Sequence, residues 1–333
     1  MELDAKLKAD SEDFWKVEAD DHEFWDAYVS TRPNYSQPFY KIIHDYHSVH
    51  STTQDLAHDV GCGAGQVAAE LAHHYAHVIA SDTDADHLAV AKGRLDSTLD
   101  QSKISYTHAK AEDLASRHPT ASADLIAAAE AVVLMDRDAG LESFAQVLKP
   151  GGTLAAWFYG RPTFSDHKLF QDAQPILDEI MERNWYKVIG GKESGPKRAW
   201  GFKRCADAME SWLDFLPFDT DTWSDVQRYK WNTHGTLPFF GEKACGYEIQ
   251  PVSNVKHGEK VVVQKDHDFW KNEWDVGQVK EYFRVLFPGF REAIGEGDAE
   301  IDELFQKLGE AMGGEGKPRQ FTWPCALVLA TRR

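Results

Sequence analysis

Leu56-Ala57-His58-Asp59-Val60-Gly61-Cys62-Gly63-Ala64-Gly65-Gln66 sets a short apolar run and an acid against three glycines at alternate positions. An amphipathic helical pattern follows. This is how a strand reads when it ends in a tight turn whose backbone comes close to a ligand, because a Cβ would block both the turn and the approach. The spacing discriminates among ligands. A dinucleotide fingerprint reads G-x-G-x-x-G, its third glycine opening the helix beneath the pyrophosphate. Here the third glycine, Gly65, comes one residue early and Gln66 takes the fingerprint position. Asp59 would also set a negative charge near any phosphate. A phosphate-free nucleoside with a cationic or zwitterionic tail fits better. S-adenosylmethionine meets that description and the nicotinamide cofactors do not.

The following residues repeat the rhythm. His77 to Asp82 is a second short strand ending in an acid, placed as the acid that accepts ribose hydroxyls in a βαβ unit. The alternative is that Asp82 caps the helix starting near Ala85. Further strands are expected over Ile104 to His108, followed by Ala111-Glu112-Asp113, and over Asp124 to Ala129, followed by Glu130. A fifth, Thr153 to Phe158, follows the turn Lys149-Pro150-Gly151-Gly152. Leu141, Phe144, Ala145 and Leu148 share one helical face between the last two. The expectation is a doubly wound α/β fold on a mainly parallel, seven-stranded, Rossmann-like sheet, with the ligand at the carboxyl ends of the strands.

With these motifs the chain resembles the class I S-adenosylmethionine-dependent methyltransferases, and within them the fungal and yeast trans-aconitate methyltransferase-like group. That group methylates carboxylic acids and assorted small molecules. The resemblance covers about Phe24 to Tyr159 and thins to a match at Leu327-Val328-Leu329-Ala330-Thr331-Arg332. It rests on Tyr28 with Arg32-Pro33-Asn34-Tyr35, the glycine turn with Asp59, Asp82, Ala111-Glu112-Asp113, and Val147 to Gly152. It implies that Gly61, Cys62, Gly63 and Gly65 pass beside the methionyl part. It also implies Asp82 and Thr83 at the ribose and Glu112, between Ala111 and Asp113, at the adenine. Tyr28, Arg32 and Tyr35 would fold over the cofactor. One departure concerns the acceptor. Where the family has a His-Trp pair, this chain has Val133-Leu134 in the frame Glu130 to Asp136. A titratable wall has become apolar.

Composition narrows the function further. The formal net charge of −18 repels phosphate backbones and argues against nucleic acid as substrate. No apolar run approaches the roughly 20 residues that span a bilayer. Met1 to Ser30 carries ten acids against three lysines, unlike a signal peptide. Cys62, Cys205, Cys245 and Cys325 show neither disulfide nor zinc spacing, so no metal and a reduced cytoplasmic setting are expected. Cys62 is read as packing in the turn. His73, His74 and His77 are read as surface histidines rather than ligands.

The chain divides into an N-terminal helical lid (1–50), a cofactor-binding core (51–160), a helical substrate cap (161–245) and the remainder of the core (246–333). Ser36 is the expected cap of a helix presenting Phe39, Ile42, Ile43 and Tyr46 on one face. Trp185, Trp200, Trp212, Trp223 and Trp231 crowd the cap region and suggest an aromatic pocket wall. Arg183, Lys187, Lys192, Lys197, Arg198, Lys203 and Arg204 face the single acid Glu193, which reads as a solvated loop or as a clamp for an anion. Val133, Leu134, Trp157, Tyr159 and Trp200 are the candidate acceptor wall. Glu130 either orients the acceptor or lines the methionyl amine.

Methyl transfer mainly requires donor and acceptor held in line at near-attack distance. A carboxylate needs no general base at neutral pH, and phenols need one least among hydroxyls. With the family's histidine replaced, O-methylation of a small carboxylic acid or acidic phenol of the secondary-metabolite kind is the expected reaction. The other readings are a non-methylating rearrangement or cyclisation on the same fold, or a non-catalytic partner subunit.

Overall fold

The computed structural model describes residue 15 and residues 17–33, 35–190, 196–293 and 298–333, with backbone alone for 196–200 and 292–293. Among the described residues two helices precede the sheet, α1 (His22–Thr31) and α2 (Gln37–His50). Asp21 caps α1 by accepting the Phe24 N–H at 3.0 Å, and Ser36 caps α2 by accepting that of Phe39 at 3.3 Å. Arg32 is extended, at φ −65° and ψ 146°, as a residue before proline prefers, and this separates the two helices.

Strand and helix then alternate through β1 (Leu56–Val60), α3 (Gln66–His74), β2 (His77–Asp82), α4 (Ala85–Leu95), β3 (Ile104–His108), β4 (Ala123–Ala129), α5 (Arg137–Val147) and β5 (Leu148–Tyr159). β1 to β5 pair in parallel in the order β3-β2-β1-β4-β5. The winding reverses between β1 and β4, which opens a crevice at their carboxyl ends. Residues 123–128 of β4 are all buried, as expected of a strand covered on both faces.

Beyond β5 come β6 (Thr163–Phe164), α6 (Gln174–Ile189), α7 (Pro196–Glu210), β7 (Trp223–Trp231), β8 (Lys260–Gln264) and β9 (Lys271–Trp274). α8 (Val276–Arg284), α9 (Ala299–Met312), β10 (Arg319–Thr322) and β11 (Cys325–Arg332) complete the fold. β11 runs antiparallel between β5 and β7, and β8 pairs in parallel with β7 at the edge. The sheet therefore has eight strands, not the expected seven. β6, β10 and β9 form a separate antiparallel sheet.

The range 161–245 is not helical throughout, because β7 belongs to the main sheet, one strand in from its edge. Its buried positions are Trp223, Val226, Arg228 and Trp231, so a charge interrupts the apolar alternation that marks a strand. Arg228 is tolerated there because its guanidinium donates to Glu259 at 2.6 Å and to the carbonyls of Leu213 and Leu216, both at 2.9 Å. Among the described residues no helix is long and apolar enough to cross a membrane.

Candidate active site

The glycine turn follows β1 as its spacing predicts. Gly61, Gly63 and Gly65 adopt φ of 70°, 50° and 79°, a region that favours glycine. The N–H groups of Gly61 and Cys62 donate to the Ser81 carbonyl at 2.8 and 2.9 Å, which fastens the turn to the end of β2. A Cβ on Gly61 would lie 2.8 Å from that of Ala131, and one on Gly65 2.7 Å from Leu95 Cδ1. A Cβ on Gly63 would meet nothing within 4 Å, so the turn is open on that side. Cys62 is buried and its thiol is pushed up by that burial, which leaves it a packing residue. α1 lies over the turn, where Val17, Phe24 and Trp25 pack with Ala64, Val90 and Val285.

Two acids flank the turn and behave differently. Asp59 is buried, with Oδ2 accepting the Ala68 N–H at 2.8 Å and Oδ1 without a partner. Burial raises its carboxyl to about 7 against the opposing Ala68 bond. The full negative charge expected beside the ligand is thus corrected to a group near half-protonation at neutral pH. Asp82 accepts the Gly63 N–H at 2.9 Å on Oδ2 and the Asp84 N–H at 3.0 Å on Oδ1, with His87 Nδ1 3.3 Å from Oδ1. Burial pushes it up, but His87 and those two N–H groups outweigh that and hold it below the usual range. A carboxylate offers roughly four acceptor positions, so one remains for a ligand. The cap of α4 is Asp84, which accepts the Asp86 N–H at 2.8 Å, so Asp82 is not the residue that caps it.

Thr83 is exposed, and its carbonyl is 2.8 Å from Nε2 of His108. Ala111, Glu112 and Asp113 form a helical turn after β3. Ala111 is buried and Asp113 exposed, while Glu112 Oε1 accepts the Asp136 N–H at 2.5 Å. That bond ties the β3 turn to the start of α5.

Glu130 sits at the end of β4 with φ 57°, an uncommon conformation for a residue with a side chain. Its N–H donates to the Trp157 carbonyl at 2.9 Å, and its Oε1 accepts the Tyr159 N–H at 2.7 Å. The residue is enclosed by protein yet keeps part of its surface open. Burial raises its carboxyl well above the usual range, despite the Tyr159 bond and the charge of Arg32.

Arg32 is buried among neutral groups. It donates to Tyr159 Oη at 3.2 Å and to the carbonyls of Val285 and Leu286 at 3.3 and 2.7 Å, and it lies 4.3 Å from the centre of the Tyr28 ring. Tyr28, Tyr35 and Tyr159 are all pushed up, first by burial, and each also feels the Glu130 carboxyl. Tyr28, Arg32, Tyr35, Glu130 and Tyr159 therefore form one cluster, in which burial favours the neutral carboxyl and phenols around the guanidinium.

The expected acceptor wall is only partly gathered there. Trp157 and Tyr159 are, with the Tyr35 ring 5.5 Å from Trp157 and 6.4 Å from Tyr159. Val133 is buried in the core, and Leu134 is 37% exposed. The Trp200 side chain lies outside the described residues. Sequence reasoning missed Trp270, whose ring lies 5.3 Å from Tyr35 and 5.9 Å from Tyr159, and Phe239, 6.2 Å from Tyr159. The cap tryptophans do not form one wall. Trp185 packs on Phe240 and Phe287, while Trp223 and Trp231 belong to β7.

The basic stretch is largely committed to the protein. Arg183 pairs with Glu179 at 2.6 Å and Glu300 at 2.5 Å, Lys187 with Asp298, and Lys203 with Asp207 at 2.6 Å. Arg204 donates to the Leu134 carbonyl at 3.1 Å. Lys192 and Glu193, with the side chains of Lys197 and Arg198, lie outside the described residues. The four described cations therefore do not form a clamp of free charges.

Residues 57–152 match the family model of a methyltransferase domain. The whole chain is similar to methyltransferase pgmE of Aspergillus terreus, with 43% identity over 98% of each chain. It is also similar to methyltransferase cfoB of Aspergillus candidus, at 39% over 94% of this chain and 95% of that one. Methyltransferase ptaI of Pestalotiopsis fici is 36% identical over 93% of each. Among solved structures, a proposed type II methyltransferase from Anaeromyxobacter dehalogenans shares the fold, with a TM-score of 0.54 and 20% identity over 90% of this chain and 97% of that one.

Proposed function

This chain belongs to the S-adenosylmethionine-dependent methyltransferases, and from that premise we propose that it methylates an oxygen of a small acidic acceptor, a carboxylic acid or an acidic phenol. The cofactor supplies an electrophilic methyl carbon carried on a sulfonium. The open face of Gly63 and the free acceptor position on Asp82 fit such a ligand. Asp82, beside Thr83, would hold the ribose, and Glu112, with Ala111 and Asp113, the adenine. Gly61, Cys62 and Gly65 would run beside the methionyl part near Asp59, with Tyr28, Arg32 and Tyr35 closing above.

The cluster of Glu130 and tyrosines around Arg32 carries the proposal. Burial favours the neutral forms of Glu130 and its neighbouring tyrosines around one guanidinium. Tyrosines pushed up in this way are not ready bases at neutral pH, which favours an acceptor that arrives ionised or ionises easily. A protonated Glu130 can donate one hydrogen bond and so orient the acceptor oxygen. Trp157, Tyr159, Trp270 and Phe239 would hold a flat apolar body, and Leu134 would border the mouth. The resemblance to the trans-aconitate methyltransferase-like group supports a carboxylate in the same way. An acceptor of secondary metabolism and a reduced cytoplasmic setting belong to the same reading.

The test is the pH dependence of kcat/KM across acceptors of graded acidity. The proposal expects the rate to follow ionisation of each acceptor. Equal use of unactivated alcohols, with one pH profile set by the protein, would overturn it.

A further inference from the structure

Within α4, His87 presents its ring to two different parts of the cofactor site. On one side Nδ1 stands 3.3 Å from Oδ1 of Asp82, with both side chains less than a tenth exposed. On the other the ring is clasped edge-on by Trp15 and Trp25, whose centres lie 5.5 and 5.2 Å away at 78° and 79°. Nε2 is buried without a partner. Trp25 belongs to α1, and Trp15 precedes that helix and also contacts Tyr28 at 5.5 Å.

We propose that His87 is a positioning residue that aims Asp82 at the cofactor and couples it to the N-terminal helix above the glycine turn. The inference rests on reading Asp82 as the ribose acid. Backbone N–H groups of Gly63 and Asp84 hold one lone pair on each oxygen of Asp82. The imidazole supplies a side-chain partner, which orients the carboxylate about its own axis and leaves one position for the ligand. An ionised carboxylate beside Nδ1 selects the tautomer with the proton on that nitrogen. Nε2, on the far side of the ring, is enclosed by aromatic rings and has no partner. A lysine could not replace it, because its charge would be buried between two indoles and a single carboxylate. The clasp means that α1 and the ribose acid move as one unit.

Calorimetry with S-adenosylhomocysteine on His87→Phe and His87→Asn tests this. Phenylalanine keeps a ring for the tryptophans and removes the donor, whereas the asparagine amide can place a donor where Nδ1 stood. His87→Phe should bind about tenfold more weakly, the loss of one charge-assisted contact, and His87→Asn should recover most of that. Wild-type affinity in His87→Phe, or weaker binding by Asn than by Phe, would overturn the proposal, since either result marks the ring as packing alone. Should His87→Phe fail to fold in a thermal melt, His87→Gln replaces it, because its longer amide reaches the Nε2 position instead. Gln must then bind more weakly than Asn. Asp82→Ala separates the premises: a normal affinity there removes the ribose reading and this inference together. A weakened Asp82→Ala beside an unaffected His87→Phe removes this inference alone.

Discussion

Oε1 of Glu130 accepts the backbone N–H of Tyr159 at 2.7 Å, joining the carboxyl ends of β4 and β5. Because burial raises the carboxyl well above its usual range, its ionisation works against the fold. The folded-state value is raised, so the stability the neutral group gives is fully present below the unfolded value and is lost as pH rises through the folded one. Glu130→Gln keeps an acceptor for Tyr159 and cannot ionise. It should therefore narrow the stability gap between pH 4, below the unfolded value, and pH 9 in urea denaturation. Glu130→Ala leaves the N–H unpaired and should cost about 1–3 kcal/mol at either pH.

The open face of the turn predicts a contrast between neighbouring glycines. Gly63→Ala places a methyl where no protein atom lies within 4 Å, so the fold should lose only the backbone strain, about 1–2 kcal/mol. Affinity for S-adenosylhomocysteine should fall much further, because the methyl stands where the ligand approaches. Gly61→Ala instead forces Ala131 aside and should lower the melting temperature more. Calorimetry and thermal melts on the two variants check this, and equal effects on both readouts would count against the turn as a ligand cradle.

Arg228 and Glu259 supply a third prediction. Their side chains are 1% and 6% exposed and 2.6 Å apart. Arg228→Met strands a buried carboxylate and should cost about 3–5 kcal/mol, while Arg228→Met with Glu259→Leu should recover much of it. Denaturant midpoints of the single and double variants decide between an ion pair that stabilises and one that is merely tolerated.

That same pair explains why the strand was not legible. From β1 to β5 the apolar runs, glycines and terminal acids report their own structure, because β1 and β4 are almost wholly buried and acids stand at the carboxyl ends of β1, β2 and β4. β7 hides a charge inside, and its partner Glu259 lies 31 residues on. No local pattern shows such compensation. The site divides likewise. Asp82, Glu130 and the turn announce themselves by position, whereas Trp270, Phe239 and His87 reach the site only through tertiary packing. Asp59 was found by position, but its burial, and hence its half-protonation, was not readable from the chain.

Acid should expose another buried group. His58 lies in β1 with both ring nitrogens unpartnered, its ring centre 4.6 Å from that of His118, and burial lowers it to about 3. A histidine kept neutral in the folded state gives its full stability above the ordinary value near 6.5, and that is lost as pH falls toward 3. At pH 5 the deficit is about 2 kcal/mol. His58→Leu should therefore shrink the difference between urea midpoints at pH 8 and pH 5. An unchanged difference would place the acid sensitivity elsewhere.

The most direct test follows the methyl group itself. Purified protein is incubated with S-adenosylmethionine carrying an isotopically labelled methyl and with paired acceptors, each an aromatic carboxylic acid or phenol beside its neutral alcohol or amine analogue. Mass spectrometry then locates the label. The predicted result is label on oxygen as a methyl ester or aryl methyl ether, one S-adenosylhomocysteine per product, and little or no product from the neutral analogues. Label on carbon or nitrogen, or equal labelling of the neutral analogues, would contradict the proposed reaction.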